Sequence, residues 1–248
     1  MKPGLFIRAG IALLLLAFLL WPEAFAPVFR PFTQNDAPPI YLQSDLMGLA
    51  LNHAMLVLIA VGLGAVIAVG LGILVTRPAG AEFLPLSRAI ANVGQTFPPI
   101  AVLALTVPVL GFGPAPTLVA LLLYGLLPIF ENTLTGLSGV DPAVAEAARG
   151  AGMTDRQRLW QVEMPLALPL ILSGIRVSTV IAISTATIGS TVAARTLGEV
   201  IIGGLLSNNP AFILQGGLVV GAMAVLTHDA FSWAERRAAR RAGRALPG

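Results

Sequence analysis

Residues able to do covalent, metal or nucleotide chemistry are nearly missing from this chain of 248 residues. There is no cysteine, which removes disulfides, thiolate metal sites, iron–sulfur clusters and cysteine nucleophiles. The two histidines, His53 and His228, stand far apart in sequence near the ends of apolar segments. They read as packed or interfacial side chains rather than metal ligands. Lys2 is the single lysine, so no phosphate loop of the G-x-x-x-x-G-K-[ST] type can form. If ATP drives this protein, another chain binds it. No catalytic, metal or cofactor-binding residue is expected, and the remaining polar chemistry falls into two patterns.

The first pattern is the stretch 141–165. Asp141-Pro142 starts a helix, because Asp can cap free N–H groups and Pro is tolerated in the first turn. The run Ala143–Ala151 is alanine-rich, with Glu146 and Arg149 as its charges, and Gly150 and Gly152 close it. Thr154 and Gln157 have the spacing of a capping box and open a second short helix, which Pro165 is expected to end. The result is two short helices hinged at Gly152. Ala147, Ala148 and Ala151, near Glu146, expose backbone to close approach. Such a loop serves as a docking surface or simply as a connection, and both readings stand at this point.

The second pattern lies within apolar segments. Ser173, Arg176, Ser184, Thr187 and Thr191 share one face of an ideal helix. They line a polar path, or they bond back to the backbone and glue neighbouring helices. Gln95 and Thr96 precede Pro98-Pro99, a helix break that frees backbone carbonyls, tolerated at membrane depth where protein or a cavity surrounds them. Ala60, Gly64, Ala68 and Gly72 recur every fourth residue as a ridge for close helix packing. Arg176 lies about 15 Å into its segment and Glu131 about 9 Å from the end of its own. Intramembrane charges normally find partners, and these two are expected to meet.

These residues must be positioned by membrane helices. Hydrophobic residues make up 56% of the chain, and charged residues 11%, less than half the usual ~25% of soluble domains. A soluble domain so poor in charge could not cover its surface, and disordered chains are polar and charged. The net charge of +3 comes with no basic run interleaved with aromatics, so no nucleic-acid partner is expected. Six apolar segments, at about 5–21, 49–75, 90–110, 117–137, 166–193 and 211–232, each come near the ~20 residues that cross a bilayer as a helix. With both termini in the cytoplasm, 12 of the 15 Lys and Arg fall inside; only Arg30 and Arg195 fall outside, and Arg176 lies within the fifth helix. Ala24-Phe25-Ala26 offers a signal-peptidase pattern, but Pro27 after the cut disfavours cleavage, so the first helix is expected to be retained.

Glu146-Ala147-Ala148, three residues, Gly152, nine residues and then Val162-Glu163-Met164-Pro165 resembles the EAA loop of ABC importer permeases, with Val and Met as mild replacements. The likeness extends over roughly 50–230. Gln95-Thr96-Phe97-Pro98-Pro99, Gly111-Phe112-Gly113, Leu126-Leu127-Pro128-Ile129, Asn132-Thr133 and Glu163–Pro169 through Gly174-Ile175-Arg176 are similar to the osmoprotectant subfamily. One departure is Ala193-Ala194-Arg195-Thr196 before Leu197-Gly198, where the family often has a glycine-rich turn. The resemblance implies an all-α polytopic membrane protein of about six helices with the type I ABC importer permease fold. It implies one transmembrane domain over 1–248, with a cytoplasmic coupling loop at 141–165 and a basic tail at 235–248. It further implies a transport subunit without enzymatic activity, in the bacterial inner membrane. ATP and Mg would be bound by partner ATPase subunits. A second permease, a copy or a relative, and an extracytoplasmic substrate-binding protein complete the assembly, in contact with the lipid bilayer. Glu146, Ala147, Ala148, Ala151, Gly152 and Pro165 would form the ATPase-coupling loop. Gln95, Thr96, Asn132, Arg176, Ser184, Thr187 and Thr191 are the candidate lining of the translocation path. The cargo implied is a quaternary-ammonium osmoprotectant such as glycine betaine or choline. A permease for an amino acid or sulfonate, and a channel or scaffold without ATP coupling, are the alternatives.

Overall fold

The computed structural model describes residues 3–34 and 36–243, so Lys2 and Arg244 of the inside-positive set, and the end of the basic tail, lie outside the described residues. Among the described residues there is no strand. In chain order the helices are α1 (Pro3–Leu20), α2 (Ala26–Phe29), α3 (Leu46–Val75), α4 (Leu84–Thr96), α5 (Pro99–Leu110) and α6 (Pro114–Ser138). They are followed by α7 (Pro142–Gly150), α8 (Asp155–Arg158), α9 (Met164–Thr185), α10 (Gly198–Leu206) and α11 (Pro210–Arg241). Four helical stretches are long and apolar enough to cross a membrane, and up to six spans result if each of two bent pairs counts as one. The protein is an all-α, polytopic membrane protein. Many large apolar side chains, among them Leu58, Val66, Leu105 and Val109, are exposed on the isolated chain, as lipid-facing residues must be.

Two compact units divide the described chain, and α3, α6, α9 and α11 contribute residues to both. The first unit draws on Met1–Ala60, Pro98–Leu121 and Val180–Thr227. Here the chain doubles back by 113° after α1, at Trp21-Pro22. Phe18 anchors the bend against Phe25 and Phe29, with ring centroids 5.3 and 5.5 Å apart. The Ala24–Ala26 cleavage pattern is thus folded into helical turns that pack on α1. The irregular segment before α3 is stitched to α11 by buried amides. Gln215 donates to the Pro39 carbonyl (2.7 Å) and accepts from the Tyr41 N–H (3.1 Å), while Asn209 donates to Pro38 (2.9 Å). These bonds satisfy backbone groups that no ladder reaches. His53 is fully buried; Nε2 bonds the Ile183 carbonyl at 2.9 Å and Nδ1 accepts from the Leu197 N–H at 3.4 Å. One nitrogen donating and the other accepting defines a neutral, packed imidazole.

The second unit draws on Val61–Phe97, Leu122–Thr179 and His228–Gly248. Its core is Ala68, Val75, Ala91, Leu126, Ile129 and Phe130. The small-residue ridge of α3 is structural. Gly64 faces Leu122 and Ile129, and a Cβ on Gly72 would lie 2.6 Å from Thr133 Cγ2. Close approach recurs at Gly94 against the Leu123 carbonyl and at Gly174 against the Pro128 carbonyl. Backbones come this near only where no side chain intervenes.

Three sequence expectations need correction. Pro165 does not end the second loop helix: α8 runs through a π-helical turn, Leu159–Glu163, directly into α9, one helical stretch from Asp155 to Val192. The π-turn lets the chain absorb a proline whose missing N–H and bulky ring would otherwise break the ladder at Gln161. Glu131 and Arg176 do not pair. Glu131 takes Arg88 of α4 (Nε to Oε1, 2.6 Å) and Arg176 takes Glu235 of α11 (Nε to Oε1, 3.0 Å). Finally, the stretch Ala186–Val192 is a 3-10 helix, with three residues per turn. Thr187 and Thr191 therefore point about 120° apart instead of sharing a face.

Candidate functional site

The loop between α6 and α9 is built from local signals. The Asp141 carboxylate accepts from the Ala143 N–H at 2.8 Å and caps α7. At the other end Gly152 has φ +80. Its N–H donates to the Arg149 carbonyl (2.9 Å) and the Met153 N–H donates to Ala148 (3.1 Å). This pair of bonds is the Schellman arrangement, which uses glycine for its left-handed residue. Thr154 and Gln157 then form the reciprocal capping box that opens α8. Glu146, Ala147, Ala151 and Gly152 are exposed, and a Cβ on Gly152 would meet nothing within 4 Å. Ala148 is different: it is 7% exposed and faces its own chain, so it does not present a surface to a partner as expected. Ala147 and Ala148 are neighbours on a helix and point about 100° apart, so both cannot face outward from a helix resting on the chain. Pro165, in α9, is exposed beside Trp160.

Below this loop sits a charge cluster that sequence reasoning did not single out. Glu163, 6% exposed, accepts a hydrogen bond from Arg158 Nε (2.8 Å, Oε1) and forms an ion pair with Arg77 Nη2 (2.6 Å, Oε2). Arg158 also pairs with Asp155 at 2.9 Å. Only the adjacency of Glu163 to the Met164-Pro165 end of the motif marked it, and Arg77 lies 86 residues away in sequence.

The expected path residues each have a local partner. In the second unit, Gln95 donates to the Tyr124 carbonyl (3.1 Å), Thr96 to Val93 (2.7 Å) and Asn132 to Pro128 (2.8 Å). The helix break beside them is stapled by the Tyr124 hydroxyl, which donates to the Phe97 carbonyl. Arg176 is held by Ser232 (2.9 Å), Ser173 (3.2 Å) and Glu235, with His228 Nε2 at 3.4 Å. In the first unit Ser184, Thr187 and Thr191 donate to Val180, Ser184 and Ile188 carbonyls at 3.3, 2.7 and 2.7 Å. Among the described side-chain hydrogen bonds, the one from Thr187 to the Ser184 carbonyl joins two of these seven residues, one turn apart on the same segment. The turn beyond them holds Ala193 at φ +64, where the subfamily resemblance leads one to expect glycine. Nearby, Glu199 accepts from Tyr41 (3.1 Å) and Ser44. Burial first, and the Glu199 charge second, push the Tyr41 phenol above its ordinary pKa, so it remains a donor.

Such an arrangement, long apolar helices packed closely at glycines and joined by one capped helical loop, defines a polytopic membrane protein. The chain belongs to the family of binding-protein-dependent transport system inner membrane components, whose profile matches residues 68–240. It is 40% identical to the osmoprotectant import permease protein OsmY of Salmonella typhimurium, over 79% of this chain and 83% of the relative. It is 39% identical to the choline transport system permease protein OpuBB of Bacillus subtilis, over 78% and 88%. A carnitine transport permease protein of Listeria monocytogenes, OpuCB, is 41% identical over 75% and 84%. The fold is shared with a solved chain of the MetNI methionine ABC transporter, in an inward-facing form, at TM-score 0.68 and 22% identity over 79% of this chain and 99% of that one. An amino acid ABC transporter crystallised with histidines gives TM-score 0.64 and 18% identity, over 77% and 92%. Membership in this family means that a partner ATPase binds the nucleotide and a separate binding protein takes part in transport.

Proposed function

We propose that this chain is the permease of an importer for a quaternary-ammonium osmoprotectant such as glycine betaine, carnitine or choline. The observation that carries the cargo class is the roughly 40% identity to permeases named for osmoprotectants, choline and carnitine in three organisms. The methionine and amino-acid transporters share the fold at about half that identity, so they favour no cargo. Both termini face the cytoplasm, the first helix is retained, and a second permease, identical or related, completes the pathway. Two ATPase subunits bind ATP and Mg. Their closure moves the loop at 141–165, and the membrane helices switch access from the side of the binding protein to the cytoplasm.

The loop's geometry supports its role as the ATPase-docking element. Exposed Ala147 and Ala151 offer small side chains beside exposed Glu146, and the Schellman turn at Gly152 sets the angle between α7 and α8. Path lining by Gln95, Thr96, Asn132, Arg176, Ser184, Thr187 and Thr191 remains part of the proposal. The hydroxyls satisfied by their own helices can serve cargo only through their remaining lone pairs.

The test is reconstitution of the permease with its ATPase and binding protein in vesicles, followed by choline and glycine betaine uptake. Gly152→Asp is expected to insert normally yet lose both uptake and the stimulation of ATP hydrolysis by loaded binding protein. Glu146→Ala is expected to give a milder loss, since exposed charge contacts are individually weak. If correctly inserted Gly152→Asp behaves like wild type, the loop is not the coupling element.

A further inference from the structure

The cluster at Glu163 joins two parts of the second unit that meet nowhere in sequence: the end of membrane helix α3, through Arg77, and the root of the loop, through Arg158. Arg158 and Glu163 are five residues apart. In an α-helix that spacing points side chains about 140° from each other, and ion pairs form at three or four residues instead. The π-turn at Leu159–Glu163 widens the helix by one residue and brings the pair to one side. Pro165 follows two residues later, so the sequence that imposes the irregular turn also makes the contact possible.

Each carboxylate oxygen of Glu163 has its own guanidinium, and the side chains are mostly shielded: 8% exposed for Glu163, 13% for Arg158 and 23% for Arg77. A pair this shielded is screened less by salt than a surface pair. It holds its partners in one discrete arrangement, as an element that transmits displacement must.

We propose that Glu163 is a positioning residue, and that the Arg77–Glu163–Arg158 bridge carries displacement of the loop into α3. This rests on the reading of the loop as the ATPase-coupling element. With the bridge intact, a shift of α7 and α8 drags Glu163 and, through Arg77, the end of α3. With the bridge cut, the loop still docks but α3 does not follow.

The chain has no cysteine, so a single reporter can be placed cleanly. Gly70→Cys is suitable because a Cβ there meets nothing within 4 Å. The reporter carries a nitroxide in the full reconstituted complex, and its spectrum is compared without nucleotide and with ATP trapped by vanadate. With native Arg77 and Glu163 the spectrum should change on trapping. Glu163→Gln and Arg77→Gln should each abolish most of that change while ATP hydrolysis stays within about twofold. Combining them should do no more than either alone, because both cut one link. Arg77→Lys should restore the change. If Glu163→Gln proves poorly inserted, Arg77→Gln alone carries the test. A full spectral change in Arg77→Gln, no change with the native pair, or parallel loss of hydrolysis and signal overturns the proposal. Failure of the underlying loop reading looks different: Gly152→Asp would then leave docking, hydrolysis and the spectral change intact.

Discussion

Gly94 is the most sharply constrained glycine of the second unit. A methyl group there would lie 2.1 Å from the Leu123 carbonyl oxygen, 2.3 Å from its carbon and 2.9 Å from the Tyr124 nitrogen. All three are backbone atoms of α6, so no side chain can swing aside. Nonbonded carbon contacts settle at roughly 3.5 Å, so α4 and α6 would have to separate by more than about 1 Å. Overpacking usually costs ~1–3 kcal/mol, and a clash with rigid backbone on both sides belongs at or above the top of that range. The displacement also strains the bond from Gln95 to the Tyr124 carbonyl, 3.1 Å, and the Tyr124 staple on Phe97. Gly94→Ala is therefore expected to lower the melting temperature of the purified permease in detergent clearly, and to abolish uptake. Gly62→Ala and Gly70→Ala are the controls. Neither methyl group meets anything within 4 Å, and alanine favours a helix over glycine by up to ~1 kcal/mol. Their melting temperatures should match or exceed wild type. Equal melting temperatures for Gly94→Ala and Gly62→Ala would refute the claim that backbone contact between α4 and α6 sets the packing.

Ala193 sits at φ +64, a conformation that costs an L-residue roughly 1–2 kcal/mol. Ala193→Gly should raise thermal stability by about 1 kcal/mol as read from melting curves. His53→Leu should lower stability by roughly 1–3 kcal/mol, because the Ile183 carbonyl and Leu197 N–H lose a buried partner. Glu235→Leu should destabilise by about 3 kcal/mol by stranding Arg176, and adding Arg176→Met should recover much of the loss in the same melting assay.

The local parts of the fold were legible in the sequence. Asp141, Thr154 and Gln157 cap helices as their spacing requires, and Gly152 takes the left-handed turn, because these signals act within a few residues. The ridge of Gly64 and Gly72 was legible for the same reason: its period is that of one helix. Ion pairing was not. Glu131 and Arg176 lie at plausible depths, yet depth says nothing about azimuth, and Arg88 and Glu235 face them instead. Ala148 was misassigned because alanine suits both a docking face and a buried one. Pro165 was read as a stop by a rule that holds for a regular helix and fails where the ladder widens.

That widened turn has a consequence for angular phase. A π-turn is an α-helix carrying one residue more than its hydrogen-bond ladder accommodates. Each residue of an α-helix advances the chain by about 100°. Deleting Gln161 together with Pro165→Ala would let the ladder close regularly, and the segment preceding it would then rotate by roughly that angle about the axis of α9. The exposed face of α7 would point a quarter-turn or more away from its present direction, with every side chain of that face still in place. The aim of the loop relative to the membrane helix is thus indexed by the count of residues between Arg158 and Pro165, more than by their identities.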